Sequence, residues 1–196
     1  MNFLYYKFII IEKIHIKTSV NNKLEYYIFI EELNKTTINN LIKLKRHKSK
    51  VNIIIINKNF STISTFARTN KIPFYIIDNI KFAIKNNAQG VFLTSKNKIL
   101  RNNIKETTKL KVIGSAHNQL EYFIKKNQKC STIMLSPIFY NHKYSPNRIL
   151  NPIKFNLITL YWKCEICALG GINNKNIKLV NLTKSKSLAI KSLITK

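Results

Sequence analysis

The sequence predicts a small, single-domain α/β protein folded as a (β/α)8 barrel, and three observations carry that expectation. Short β-type runs alternate with amphipathic helical patterns from about residue 26 to the C-terminus, the signature of parallel βα units. The strand-like runs number eight, as a closed barrel of this kind requires. A chain of 196 residues with 45% hydrophobic content is long enough to bury one sizeable core. Counting strands does not by itself prove closure, so a doubly wound open sheet is the alternative.

The expected strands are "YYIFI" (26–30), "VNIIIIN" (51–57), "PFYII" (73–77), "VFL" (91–93), "LKVIGS" (110–115), "STIMLS" (131–136), "CEICALG" (164–170) and "SLAIKS" (187–192). Each is short, apolar and rich in β-branched or aromatic residues. The intervening stretches have helical periodicity. In "STISTFARTN", Ile63, Phe66 and Ala67 share one face after Ser61. In "HNQLEYFIKKN", Leu120, Phe123 and Ile124 do the same after a cap at Asn118. Residues 1–22 precede the first unit and read as an N-terminal extension, leaving 23–196 for the barrel.

No uncharged apolar run approaches the ~20 residues of a membrane span. The opening "MNFLYYKFIIIEKIHIK" is interrupted by Lys7, Glu12 and Lys13 and has no small-residue cleavage site, which argues against a secretory signal. Three cysteines, an odd number, fit a reducing cytoplasm better than a disulfide framework. A homo-oligomer is compatible with everything in the sequence.

The formal net charge of +26 is spread from end to end among asparagines and isoleucines. Lys, Asn and Ile share A/T-rich codons, so biased composition explains the charge without a polyanionic partner. The densest basic run, "KLKRHKSK" (43–50), lacks the interleaved aromatics of a single-strand binder and reads as the solvated end of a helix. Nucleic acid is therefore not the expected partner; a basic nucleic-acid-binding protein is the second alternative, with this run as its best candidate contact. The positive field does favour small phosphorylated ligands.

Gly170 and Gly171 are adjacent in a chain with only four glycines, and they follow the seventh strand in "ALGGIN". Loops after strands seven and eight commonly hold phosphate in such barrels, so backbone N–H groups here are candidates for a phosphate cradle. A tight left-handed turn without a ligand is the other reading. On the phosphate reading, Gly171→Val abolishes phosphate binding and leaves the fold intact. Asp78 is the only aspartate and ends the third strand; His117 directly follows the fifth. Cys164 and Cys167 form a C-x-x-C, but on a strand these positions face opposite sides, which argues against a metal or redox pair.

Four segments together, "PFYIIDNIKFAIKNNAQGVFL", "VIGSAHNQLEYF", "LSPIFYNHK" and "CALGGINNKNI", resemble successive motifs of the thiamine phosphate synthase and thiazole tautomerase superfamily. The resemblance runs from about residue 26 to the C-terminus. It implies a synthase reaction: a hydroxymethylpyrimidine diphosphate loses diphosphate with Mg²⁺ assistance, and a thiazole phosphate captures the cation. The alternative is a tautomerase-like or non-coupling relative that binds a thiazole phosphate. It further implies metal ligands at Asp78 and Asn97, and diphosphate contacts at Lys58, Ser115 and Lys143, with His142 able to serve in place of Lys143. A thiazole phosphate site falls at Gly170, Gly171 and Ser192, and an acid–base group at His117, with Lys143 also catalytic.

The departures from the pattern are equally specific. Ile54 and Ile56 stand where the family grips diphosphate with polar side chains, and Ile77 replaces an asparagine. Asn97 replaces the second metal carboxylate, so Mg²⁺ binding is expected to be weak. Lys58, Asp78, Ser115, Gly170 and Ser192 are expected to converge at one barrel mouth.

Overall fold

The computed structural model describes residues 24–46, 50–56, 59–99, 109–142 and 144–191. Eight parallel strands close into a barrel in sequence order. They are β1 (Glu25–Ile30), β2 (Lys50–Ile55), β3 (Phe74–Ile77), β4 (Gly90–Leu93), β5 (Lys111–Ala116), β6 (Thr132–Leu135), β7 (Glu165–Leu169) and β8 (Ser187–Ile190). Closure is explicit in the register, since β8 pairs with both β7 and β1, Ser187 opposing Cys167 on one side and Glu25 on the other. The α-helices are α1 (Lys35–Arg46), α2 (Phe60–Thr69), α3 (Ile80–Lys85), α4 (Gln119–Asn127) and α5 (Asn151–Ile158). A 3₁₀ segment, Ile177–Leu182, makes the crossover from β7 to β8. The expected N-terminal extension, residues 1–22, lies outside the described residues.

Alternation along each strand sorts side chains into two packed regions. Tyr27 and Phe29 turn inward to meet Ile54, Tyr75, Phe92, Ile113 and Met134. Tyr26, Ile28 and Ile30 turn outward toward the helices, with Ile53, Ile55, Leu41 and Ile63. Inside, Tyr27 meets Tyr75 edge-on at 5.8 Å and Phe29 meets Phe92 at 5.3 Å, geometries aromatic quadrupoles favour. Fully burying one such side chain is worth about 1.5–3 kcal/mol, so the filled lumen is a large part of what holds the barrel closed.

One helical expectation holds and one needs correction. Ile63 and Ala67 of α2 are buried and Phe66 packs against the same core, as the spacing predicts. Asn118 does cap α4, accepting the Glu121 N–H at 2.9 Å, but the buried face is not the expected one. Leu120 and Phe123 are exposed, while Tyr122 and Lys125 are buried. The rotation follows from specific partners. Tyr122 stacks on Trp162 at 4.2 Å and accepts the Lys163 N–H, and the Lys125 stem packs beneath Gly114. Burial lowers the pKa of the Lys125 ammonium, and its protons are taken by Asn97 O at 2.7 Å and Gln128 Oε1 at 2.9 Å.

The cysteines stay apart from any site. Cys167 is buried in the lumen, Cys164 is half-buried outside β7, and both are free thiols. The basic run after residue 43 ends α1 at Arg46; His47 lies outside the described residues, as does His15.

Candidate active site

A cavity of about 680 Å³ opens at the C-terminal ends of the strands, within the range of ordinary small-ligand sites. Its floor is apolar: Phe29, Ile56, Ile77, Phe92 and Leu169 supply it from five strand ends. Its polar groups come from loops. Thr94 follows β4, Ser136 follows β6, and His142 and Tyr144 lie further along the same β6 loop. Gly170, Gly171 and Ile172 form the wall after β7, and Lys191, ion-paired with Glu31, follows β8. Ile54, by contrast, is fully buried one layer below the mouth.

The double glycine is in the left-handed region, with φ of +93° at Gly170 and +71° at Gly171. A Cβ at Gly171 would lie 2.3 Å from the Phe139 carbonyl oxygen and 2.5 Å from that of Tyr140. The close approach that excludes a side chain is therefore made by the β6 loop, which is strapped to β7 by Ile138 N–H to Leu169 O and Phe139 N–H to Gly170 O. The expectation that Gly171→Val would leave the fold intact does not hold, because the new side chain would strike backbone. Asn176 donates to the Gly171 carbonyl at 2.8 Å, fixing the far side of the turn. The glycines also line the cavity, so the turn and the cavity wall share the same residues.

Asp78 and Asn97 are brought together at the rim. Asp78 sits at φ +50°, a conformation aspartate tolerates. Its carboxylate accepts from Thr94 N at 3.0 Å, Thr94 Oγ1 at 2.6 Å and Asn97 Nδ2 at 2.9 Å. The Asn97 amide orientation follows from its other side, where Oδ1 accepts from Ile99 N at 3.2 Å and Gln128 Nε2 at 3.3 Å, two groups that can only donate. Asn97 thus presents N–H, not carbonyl oxygen, to Asp78. These residues do not fit the two-carboxylate Mg²⁺ site that the resemblance implies: a cation here would meet one carboxylate, already hydrogen-bonded, beside an amide donor. Among the described residues, no group of three or more His, Cys, Asp and Glu side chains is gathered around one point.

Ser115 lies near the end of β5 and is buried. His117 follows that strand, and its ring is held on both sides. Glu121 Oε2 accepts the His117 backbone N–H at 2.7 Å and faces Nδ1 at 2.9 Å, while Nε2 meets the Tyr144 hydroxyl at 3.2 Å. Asp78, Ser115, His117 and Gly170 therefore all belong to one end of the barrel. Lys58, Lys143 and Ser192, also expected there, lie outside the described residues.

The sequence pattern of the thiamine monophosphate synthase family matches residues 45–194, about three quarters of the chain. The chain belongs to that family. Among solved structures it is similar to the thiamine phosphate pyrophosphorylase of Pyrococcus furiosus, with a TM-score of 0.67 and 19% identity over 87% of each chain. It is also similar to the N-acetylmannosamine-6-phosphate 2-epimerase of Clostridium perfringens (TM-score 0.61, 12% identity, 92% of each chain). The YdjI aldolase of Escherichia coli K12 matches with a TM-score of 0.61 and 13% identity, over 96% of this chain and 80% of that one. At these identities the structural likenesses show the shared barrel. No curated protein matches the chain by sequence. No helix among the described residues is long and apolar enough to cross a membrane.

Sequence reasoning missed several groups that shape this thiamine monophosphate synthase family site. Glu121 was legible in principle, four residues after His117 at the start of a helix. Thr94 was not, because nothing local marks it as the partner of Asp78. Tyr144 and Gln128 reach their partners across 27 and 31 residues of sequence, respectively, and only the fold brings them in.

Proposed function

We propose that the barrel mouth binds the monophosphate of a small heterocycle of the thiazole phosphate type and moves a proton on it, without expelling diphosphate. The observation that carries this reading is the apolar floor. Ile56 and Ile77 join Phe29 and Phe92 where a diphosphate would need charged hydrogen bonds, each worth about 1.5–3 kcal/mol. An aromatic heterocycle suits that floor, and its single phosphate suits the Gly170–Ile172 wall under the chain's positive field. His117, one hydrogen bond from the cavity-lining Tyr144, belongs to the acid–base machinery of this reading. In the same scheme Lys58, Lys143, Ser115 and Ser192 are phosphate contacts. Mg²⁺ is proposed to bind weakly at most, through Asp78.

The second reading, coupling of a hydroxymethylpyrimidine diphosphate to a thiazole phosphate, is favoured by the family match over residues 45–194. One assay separates the two. The purified full chain is incubated with both substrates and Mg²⁺, and thiamine phosphate is followed alongside calorimetric binding of the thiazole phosphate alone. Binding without product is expected; steady formation of thiamine phosphate would establish coupling instead. A companion titration tests the metal position. Asn97→Asp supplies a second carboxylate facing Asp78 and should raise Mg²⁺ affinity roughly tenfold or more, since affinity rises with ligand charge. Tight Mg²⁺ binding by the unaltered chain, or no gain in the variant, would refute the assignment of both residues.

A further inference from the structure

We propose that Tyr144 is the residue that exchanges a proton with the bound ligand, with His117 as its proton partner and Glu121 as the residue that positions the imidazole. The proposal rests on the heterocycle-phosphate reading and assigns the chemistry within it.

The first observation is where the groups stand. Tyr144 is part of the cavity wall, whereas His117 contacts it from behind: its Nε2 lies 3.2 Å from the Tyr144 hydroxyl, with ring centroids 5.8 Å apart. The second is the tautomer. A carboxylate only accepts, so Glu121 Oε2 at 2.9 Å requires the ring proton on Nδ1. In the neutral ring Nε2 then carries the lone pair, and the Tyr144 hydroxyl donates to it. The third is how firmly Glu121 is held. Its own N–H is capped by Asn118, and its carboxylate also accepts the His117 backbone N–H, so residue and ring are tied to the first turn of α4. A carboxylate serving only as a helix cap would have no reason to face the ring nitrogen as well.

The step balances without a co-reactant. Tyr144 passes its phenolic proton to His117 Nε2 while the phenolic oxygen takes a proton from an acidic position of the ligand. The imidazolium so formed rests against the Glu121 carboxylate. In the return step Nε2 gives its proton back to the phenolic oxygen as the hydroxyl releases its proton to a different ligand atom. No electrons leave the pair, the product is an isomer of the substrate, and both side chains end as they began. A phenolic hydroxyl can take the ligand's proton only as its own is accepted elsewhere, which is why the histidine behind it matters.

The test uses the full chain and three readouts. Nitrogen-15 NMR of the imidazoles should show His117 protonated at Nδ1 and bare at Nε2, with the Nε2 signal shifting in Tyr144→Phe. Calorimetry with the thiazole phosphate and with inorganic phosphate should give binding unchanged in Tyr144→Phe and Glu121→Gln, and thermal melts should show both folded. In D₂O the parent chain should wash deuterium into bound thiazole phosphate. Tyr144→Phe should slow that exchange about a hundredfold or more, the usual contribution of a general acid–base group. Glu121→Gln keeps the capping acceptor but not the charge, so it should slow exchange about tenfold with binding intact. An Nε2–H tautomer, binding without exchange, or a Tyr144→Phe chain that exchanges as fast as the parent would overturn the proposal. Failure to bind either phosphate would instead overturn the heterocycle-phosphate reading, and the assignment with it.

Discussion

The two ends of the barrel are built from the same strands and differ in what fills them. At the N-terminal end, inward positions are polar and meet one another. Asn52 donates to Glu25 at 2.7 Å, Thr132 donates to Glu165 at 3.0 Å, and Lys111 faces Glu165 across 3.9 Å. At the C-terminal end, the inward positions are Phe29, Ile56, Ile77, Phe92 and Leu169, and polar groups arrive from loops. The lower end closes on itself, while the upper end leaves an apolar hollow rimmed by donors. On the proposed reading, stability and ligand recognition fall to opposite ends of one sheet, as the barrel architecture permits. Changes near the loops should disturb ligand binding, and changes in the lumen should disturb folding.

Gly171 breaks that division and predicts the largest effect. It belongs to the mouth, yet Gly171→Val would drive a side chain into the backbone of Phe139 and Tyr140 and force a β-branched residue to φ +71°. Overpacking costs about 1–3 kcal/mol and left-handed strain about 1–2 more, so a loss of about 3 kcal/mol is expected in denaturant unfolding. A variant that melts like the parent would show that the β6 loop yields freely. If the variant is rescued at low temperature, comparing its binding of thiazole phosphate with that of the dephosphorylated alcohol separates a lost phosphate wall from a lost fold.

The lumen supplies the next effect, through pH. Burial pushes the Cys167 thiol up to about 12 and the Cys164 thiol up to about 11, both from an ordinary value of 9.0. A group whose folded pKa is raised contributes stability that is fully present below its unfolded pKa and is lost as pH rises toward the folded value. Stability should therefore be flat for these thiols below pH 8 and decline above pH 9, by about 1.4 kcal/mol per pH unit for the fully buried Cys167 and by less for the half-buried Cys164, which solvent screens. Lys125 acts in the opposite sense, because its pKa is lowered and stability gained as pH rises toward its unfolded value partly offsets the decline. Urea unfolding at pH 8 and pH 10 should show the fall, and Cys167→Ala should make it shallower. An unchanged slope in that variant would show that the thiol is not the group responsible.

The smallest effect sharpens the comparison from below. The Tyr27 hydroxyl is buried beside the Thr132 and Tyr75 side chains without a hydrogen bond of good geometry to either, a cost in a lumen otherwise satisfied by packing or pairing. Tyr27→Phe should raise stability by about 1 kcal/mol, the usual penalty for an unsatisfied buried hydroxyl, and leave ligand binding at the far end unchanged. Destabilisation by a similar amount would mean the hydroxyl has a partner in solution.

The sequence by itself determined the strands and their count. Apolar runs at "VNIIIIN", "STIMLS" and "CEICALG" became β2, β6 and β7 with ends shifted by a residue or two. Strand formation is a local property of side chains that pack on both faces, and eight such runs leave few architectures open. The need for backbone freedom at Gly170 and Gly171 was also local and also legible. What only the tertiary structure decided is who meets whom. Leu120 and Phe123 matched the helical period as well as Tyr122 and Lys125, and the choice fell to Trp162 and to the acceptors Asn97 O and Gln128 Oε1. Asn97 could have offered oxygen or N–H to Asp78; Ile99 and Gln128 settled it. Tyr144 became the partner of His117 only because closure brings the loops after β5 and β6 to one rim. Periodicity and propensity act within one element, whereas these contacts join elements whose relative placement exists only once the barrel has closed.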